Sequence, residues 1–279
     1  MTRSLLFTSL LVASAYAATC PCGYKDSTTG AIWRESFISD FTTGWSAALN
    51  QNFLTATWQD PHPDSPYNLQ HLASNVYGYN DGLGMRTSAF PPGSSGPVKT
   101  AEIQSHREDI LYGTFRMRAT VPSVPGVCFG FFTFRSNTQE ADIEFLSSDA
   151  DYYQRVHHTN QPGLLPDQNT DPNAAKEVVI PGADFTEFHE HRLDWLPGSS
   201  KYYYDGALKS TVSKNSPSVA SLLLANVWSD GGEWSRGPPT QDAVATIYYI
   251  KAYFNSTSLS TAQFNSQCAA ASNKTPCSI

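Results

Sequence analysis

Apolar and polar residues alternate with a period of two in one segment after another along this chain, the pattern of strands with one face buried. From Thr100 onward the segments 101–106, 112–120, 126–135, 139–146, 153–159, 187–195, 200–205, 207–213, 222–228 and 245–254 are each of strand length and bounded by turn residues. Upstream, 75–79 and 83–88 flank Asn80-Asp81-Gly82, which predicts a hairpin. Between 18 and 60 the aromatics Trp33, Phe37, Phe41, Trp45, Phe53 and Trp58 are scattered among turn residues and predict further short strands. Segments 60–66 and 91–96 are proline- and glycine-bearing loops. Helical spacing is nearly absent, and 217–224 is expected to make one short turn. Many short strands without repeats or a low-complexity linker predict one all-β sandwich domain over 18–279, with a tail from about 256.

The segment 139–146 reads Gln-Glu-Ala-Asp-Ile-Glu-Phe-Leu. On a strand Glu140, Asp142 and Glu144 share one face, and Ala141, Ile143 and Phe145 the other. Three like charges on one face repel. The arrangement makes sense where the acids line a cleft and the apolar face anchors them to a core. Retaining glycoside hydrolysis needs two carboxyl groups about 5–5.5 Å apart. Residues i and i+4 of a strand have Cα atoms roughly 13 Å apart, a gap that two long Glu side chains narrow on a concave sheet and two Asp side chains do not. Asp142 between them is placed to hydrogen-bond one Glu and hold the two pKa values apart. An isolated ExDxE is equally compatible with a solvated strand edge.

Composition narrows the setting. The chain has 279 residues, 40% hydrophobic and 13% aromatic, enough for one sizeable core. Segment 1–17 reads as a secretory signal peptide: Arg3, an apolar run over 5–13, then Ala15-Tyr16-Ala17 before a cut. That run is too short to span a membrane. The formal charge is −7, and one unit more negative without Arg3, which argues against nucleic acid and anionic membranes and suits a neutral polymer. The expected location is outside the cell or in its wall. Of the five cysteines, Cys20, Cys22, Cys268 and Cys277 lie near the ends. They predict two bridges, at least one joining the two termini. Cys128, in an apolar run, is expected to be a buried free thiol. The spacings match no common zinc set. Asn255-Ser-Thr257 and Asn273-Lys-Thr275 are N-glycosylation acceptors, which predicts an exposed tail. No apolar run closes the chain, so a lipid anchor is not expected.

The joint pattern resembles glycoside hydrolase family 16, the jelly-roll β-glucanases and transglycosylases. The strand 139–146 is similar to that family's ExDxE strand. The preceding Tyr112-Gly-Thr-Phe-Arg-Met-Arg118 and the segment 126–134 resemble the two strands before it. Phe188-His-Glu-His-Arg-Leu-Asp-Trp195-Leu-Pro197 with Tyr202-Tyr-Tyr-Asp-Gly206 resembles a later block, and Ala225-Asn-Val-Trp228 its late NxW strand. The resemblance covers roughly 100–255, and 18–99 match only loosely. It implies a concanavalin A-like jelly roll with a concave cleft, Glu140 as nucleophile, Glu144 as general acid/base and Asp142 as the residue that tunes Glu140. It implies substrate contacts from Glu102, Asn226 and Trp228. Thr138 and Gln139 before Glu140, and Gln104 after Glu102, depart from the family pattern and leave substrate preference open.

Further candidates stand beside these. Trp234 is a possible sugar platform or plain packing, and His157 a possible donor to a sugar hydroxyl or a surface histidine. His189 and His191 form an HxH pair without an evident third ligand. The resemblance allows a structural calcium, whose oxygen ligands do not assemble from the sequence. No cofactor or metal is expected. The long loop 229–242 is expected to cover a cleft. The expected protein is a secreted, monomeric, retaining glycosidase acting on a polysaccharide, β-1,3 or mixed β-1,3/1,4-glucan. A wall-remodelling transglycosylase and a non-catalytic lectin on the same sandwich are the alternatives.

Overall fold

In the computed structural model, which describes residues 20–279, the alternating segments pair into two large sheets laid face to face. The predicted signal segment 1–17 lies outside the described residues. In chain order the strands of three or more residues are β1 Glu35–Asp40, β2 Phe53–Thr55, β3 Leu69–His71, β4 Val76–Tyr79, β5 Gly82–Thr87, β6 Val98–Ser105, β7 Ile110–Thr120, β8 Cys128–Ser136 and β9 Gln139–Leu146. They continue with β10 Arg155–Asn160, β11 Ala175–Val179, β12 His189–Leu196, β13 Ser199–Tyr204, β14 Ala207–Val212, β15 Leu222–Trp228 and β16 Ala243–Ser256.

The backing sheet runs β14-β13-β12-β7-β16-β5-β4, with β1 also on β16. The other sheet runs β11-β10-β9-β8-β15-β6-β3, with β2 also on β6. Both are almost wholly antiparallel; β3 joins β6 in parallel. This is the jelly-roll sandwich that the alternation and the resemblance predict.

The period of two decides what each face carries. In the second sheet the odd-numbered residues Phe129, Phe131, Ala141, Ile143, Phe145, Leu223, Ala225 and Val227 point at the backing sheet and are 0–1% exposed. They meet Phe115, Met117, Leu193, Trp195, Ile250 and Phe254 from the other layer. Each large side chain so buried contributes about 1.5–3 kcal/mol. The even-numbered residues of β6, β8, β9 and β15 are left for the outer face, which carries the acids.

Several expectations are corrected here. The region 18–60 is not all short strands: Trp45–Asn52 is an α-helix, α1. Its Trp-Ser-Ala-Ala-Leu-Asn-Gln-Asn sequence has no β-branched residue, and it buries only Leu49, so it shows no apolar stripe. A second helix, α2 Thr261–Ala270, starts at a capping box of Ser260 and Gln263 and buries none of its residues. The turn expected at 217–224 is absent; the chain is irregular there and then enters β15. Strand β11 was not expected. Asn255 does not sit in an exposed tail. It lies inside β16, half-buried, with its Oδ1 enclosed and unpartnered, whereas Asn273 is exposed.

Both termini are strapped together by Cys20–Cys277 and Cys22–Cys268. Cys128 is free and buried, as expected from its apolar run. Among the described residues no helix is long and apolar enough to cross a membrane.

Candidate active site

Strand β9 brings Glu140, Asp142 and Glu144 to the outer face of its sheet. Its antiparallel register fixes their neighbours. Glu144 stands opposite Gly130 of β8 and His157 of β10, and Asp142 opposite Phe132 and Thr159. Gly130 in turn faces Asn226 of β15, and Asn226 faces Glu102 of β6. Five residues from five strands, His157, Glu144, Gly130, Asn226 and Glu102, thus form one row across the sheet. Above it lies a cavity of about 660 Å³. Its floor holds the three β9 acids, Glu102 and Asn226, and Trp228 stands on its wall.

Gly130 keeps the row open. A Cβ there would sit 2.7 Å from Asn226 Oδ1. Asn226 Nδ2 donates to Glu102 Oε2 at 3.4 Å, and Gln104 Nε2 to Glu102 Oε1 at 2.8 Å. The Gly130→Ala variant is expected to push the Asn226 amide off Glu102 and cut kcat/KM by about tenfold to a hundredfold with the fold retained. Steady-state kinetics beside a thermal melt checks this, and unchanged kinetics would refute the need for an open row.

The acids are sunk into the sheet. Asp142 is 2% exposed and accepts from Gln161 Nε2 at 3.0 Å. Its Oδ1 is enclosed without a donor, and Glu140 is its neighbour on the same face of the strand, so a proton held between the two carboxyls would satisfy that oxygen. Burial, and then the charges of Glu140 and Glu144, push Asp142 well above the usual carboxylate range. Burial, then the charge on Glu144, pushes Glu140 up to about 8, against the pull of its bond to Asp142. Burial also raises Glu144, opposed by the Cys128 thiol, the His157 charge and the Trp234 indole. Three close acids therefore do not carry three charges at neutral pH. Glu102 is raised by burial too, with His71, Gln104 and Asn226 pulling the other way.

Trp234, 40% exposed, is not part of the cavity wall; its Nε1 donates to Glu144 Oε1 at 3.3 Å and its ring meets His157 at 5.1 Å. His157 faces the site but is 8% exposed, with Nε2 held by Asp149 at 2.8 Å. His189 bonds Asp205 at 2.7 Å. His191 is buried against Phe145 and Phe185, and burial drives its pKa down to about 3. Among the described residues no group of three or more His, Cys, Asp and Glu side chains is gathered to hold a metal.

The loop before β3 was missed as part of the site. Trp58, 43% exposed, with Asp60 and His62, lines one end of the cavity, and Phe132 and Phe134 line its floor. His62 Nδ1 lies 3.1 Å from Asp230 Oδ2, and the Ser65 hydroxyl donates to the same oxygen at 2.6 Å, which ties this loop to the one after β15. Buried His71 backs it, bonded to the Thr100 hydroxyl at 3.0 Å. The available signal was an aromatic just ahead of a proline-rich loop, Trp58 before Asp-Pro-His-Pro-Asp-Ser-Pro.

A two-sheet sandwich with a carboxylate row in an open cavity defines a glycoside-cleaving enzyme. The chain belongs to glycosyl hydrolases family 16, whose family model matches residues 65–257. It is 30% identical over 192 residues to a beta-glucanase of Paenibacillus macerans, covering 64% of this chain and 74% of that one. The fold is similar to that of a Bacillus licheniformis beta-glucanase, with a TM-score of 0.61 at 22% identity over 78% of this chain and 97% of the other. It is also similar to a structure of a Crh5 transglycosylase in complex with NAG, with a TM-score of 0.57 at 17% identity over 78% and 83%.

Proposed function

We propose that the protein is a secreted enzyme that cleaves β-1,3 or mixed β-1,3/1,4-glucan with retention of configuration. The observation that carries this reading is the set of three acids on one face of β9 at the floor of an open cavity, sharing fewer charges than carboxyl groups. Glu140 attacks the anomeric carbon while Glu144 gives its proton to the glycosidic oxygen. The C–O bond breaks and the leaving sugar departs with that proton. Glu144, now a carboxylate, takes a proton from water. The resulting hydroxide oxygen attacks the anomeric carbon and releases Glu140. Asp142 steadies Glu140 through their shared hydrogen bond.

Before a glucan binds, the donors gathered at Glu144 favour the charge there and the proton on the side of Glu140 and Asp142. A bound glucan reverses that preference. The glycosidic oxygen is an acceptor and favours a protonated Glu144, while charge developing at the anomeric carbon favours an ionised Glu140.

The test is a panel of β-1,3, β-1,4, mixed-linkage and β-1,6 glucans, read by new reducing ends and by NMR of the first-formed anomer. Retained β-anomer from a β-1,3 or mixed glucan is expected; inversion, or cleavage confined to other linkages, refutes the reading.

The same carboxylates serve a transglycosylase, in which a sugar hydroxyl replaces water in the second step. The fold likeness to the Crh5 transglycosylase supports this second reading. Phe132 and Phe134 on the cavity floor also offer apolar surface on which an acceptor sugar would outcompete water. Added oligosaccharide acceptors then give lengthened products; hydrolysis alone in their presence excludes it.

A further inference from the structure

Strand β8 opens with Cys-Phe-Gly-Phe-Phe, and the period of two puts Cys128 on the same face as Gly130 and Phe132. It therefore belongs to the site face, although it is 0% exposed and has no disulfide partner. It sits diagonally from Glu144, beside the cross-strand pair Gly130–Glu144. Cys128 Sγ donates to Glu144 Oε1 at 3.2 Å. From the other side, Trp234 Nε1 donates to the same oxygen at 3.3 Å. Both donors land on Oε1 and leave Oε2 to the cavity.

We propose that Cys128 is a positioning residue for Glu144: its thiol, with the Trp234 indole, fixes Oε1 as the accepting oxygen and confines the acid proton to Oε2. This deepens, and rests on, the reading of Glu144 as general acid/base. A proton on Oε1 would face the donor-only indole and, as acceptor, at best the weakly accepting thiol sulfur, so that tautomer is disfavoured. With Oε2 alone protonated, the proton points to where a glycosidic oxygen arrives. The thiol stays a donor throughout, because burial and the neighbouring charge of Glu144 hold its pKa well above the usual thiol range. A thiol also buries at less cost than a hydroxyl, which suits a position closed to water.

The titratable groups facing Glu144 are few. Glu140 and Asp142 stand on its own strand, and Cys128 on β8. His157 stands on β10 with Asp149 behind it, and Arg236 of the loop after β15 pairs with Asp149. Beyond Gly130 lie Asn226 and Glu102. Only Cys128 and Trp234 donate directly to the Glu144 carboxyl among the described residues.

The test uses the full chain as wild type, Cys128→Ala, Cys128→Ser and, as a second route that leaves the core untouched, Trp234→Phe. Two readouts are taken: the pH profile of kcat/KM on the glucan that the wild type cleaves best, and a ¹³C NMR titration of the Glu144 carboxyl, which needs no activity. Losing one donor to the carboxylate raises the Glu144 titration by about half to one pH unit in Cys128→Ala. Cys128→Ser brings it back toward wild type, and Trp234→Phe moves it in the same direction as Cys128→Ala. The limb of the profile that reports Glu144 moves with it. A Glu144 titration that superimposes on wild type in both Cys128→Ala and Trp234→Phe overturns the proposal, even where glucan is still cleaved. A shifted titration in a protein that cleaves no glucan upholds the hold on Oε1 and defeats the proposed function alone.

Discussion

The Glu140→Gln variant is expected to lose glucan cleavage by on the order of 10⁴-fold or more, because an amide is no nucleophile toward an anomeric carbon. It is also expected to fold and to gain stability at alkaline pH. Gln keeps the shape of Glu and still bonds Asp142, but it ends the mutual repulsion on β9. The sign follows from the raised pKa. Glu140 titrates near 8 in the folded chain against an ordinary value of 4.5, so the folded state holds a proton that the unfolded chain releases. That contribution is fully present below about pH 4.5 and is lost as pH rises through 8. Wild type should therefore weaken over this window by more than Glu140→Gln, which keeps the raised Asp142 and Glu144 but not this contribution. Thermal melts at pH 5 and pH 8 read the difference. The variant's advantage should be about 2–4 °C larger at pH 8. An equal gap at both pH values would show that Glu140 does not carry the raised pKa, and retained cleavage would show that it is not the nucleophile.

How far the sequence reached is a matter of which signals are local. Most strands from β6 onward were legible because they hide one face in the core; β11, which buries none of its residues, was not. Ile143 or Leu193 cannot be moved by one position without turning a core residue outward. The three acids of β9 were legible for the same reason, since alternation alone puts them on one side. Their company was only partly legible. Glu102 and Asn226 entered through the family resemblance, and the row that joins them to Glu144 exists only through the pairing registers, which no single strand contains.

Cys128 illustrates the gap best. Its apolar neighbours Val127 and Phe129 made it read as core, and it is indeed fully buried. Yet its parity is that of Gly130, so its sulfur points at the acids. Helices α1 and α2 were missed for a different reason. One buries a single residue and the other none, so neither writes a 3.6-residue period into the chain. Trp58 and His62 sit on a loop that carries no period, and long-range contacts such as those of His62 and Ser65 with Asp230 bring it to the cavity.

The second large effect is expected far from the cavity. Asp26 lies in the N-terminal segment just after the two bridged cysteines and is 0% exposed. Its Oδ1 accepts from the amides of Thr28 and Thr29 at 2.8 and 2.9 Å. Its Oδ2 accepts from Arg116 of β7 at 3.0 Å and Arg192 of β12 at 2.7 Å. Arg192 also grips Asp194 with two bonds of 2.6 and 2.7 Å and lies over the Tyr203 ring. Asp26→Ala would leave Arg116 and Arg192 short of an acceptor beneath the strap, at a cost of about 3–5 kcal/mol, or a fall of about 10 °C in the melting midpoint. Asp26→Asn keeps an acceptor for the two amides and should fall between. The pH dependence has the opposite sign to that of Glu140. Burial alone would raise Asp26, but the Thr29 and Thr28 amides and the two arginines outweigh it and hold its pKa below the ordinary value. Its contribution is therefore present above the unfolded value near 3.9 and is lost as pH falls through the folded one. The gap between wild type and Asp26→Ala should be full at pH 7 and shrink as pH falls below about 4. Equal midpoints at pH 7 would mean that the two bridges hold the strap without Asp26.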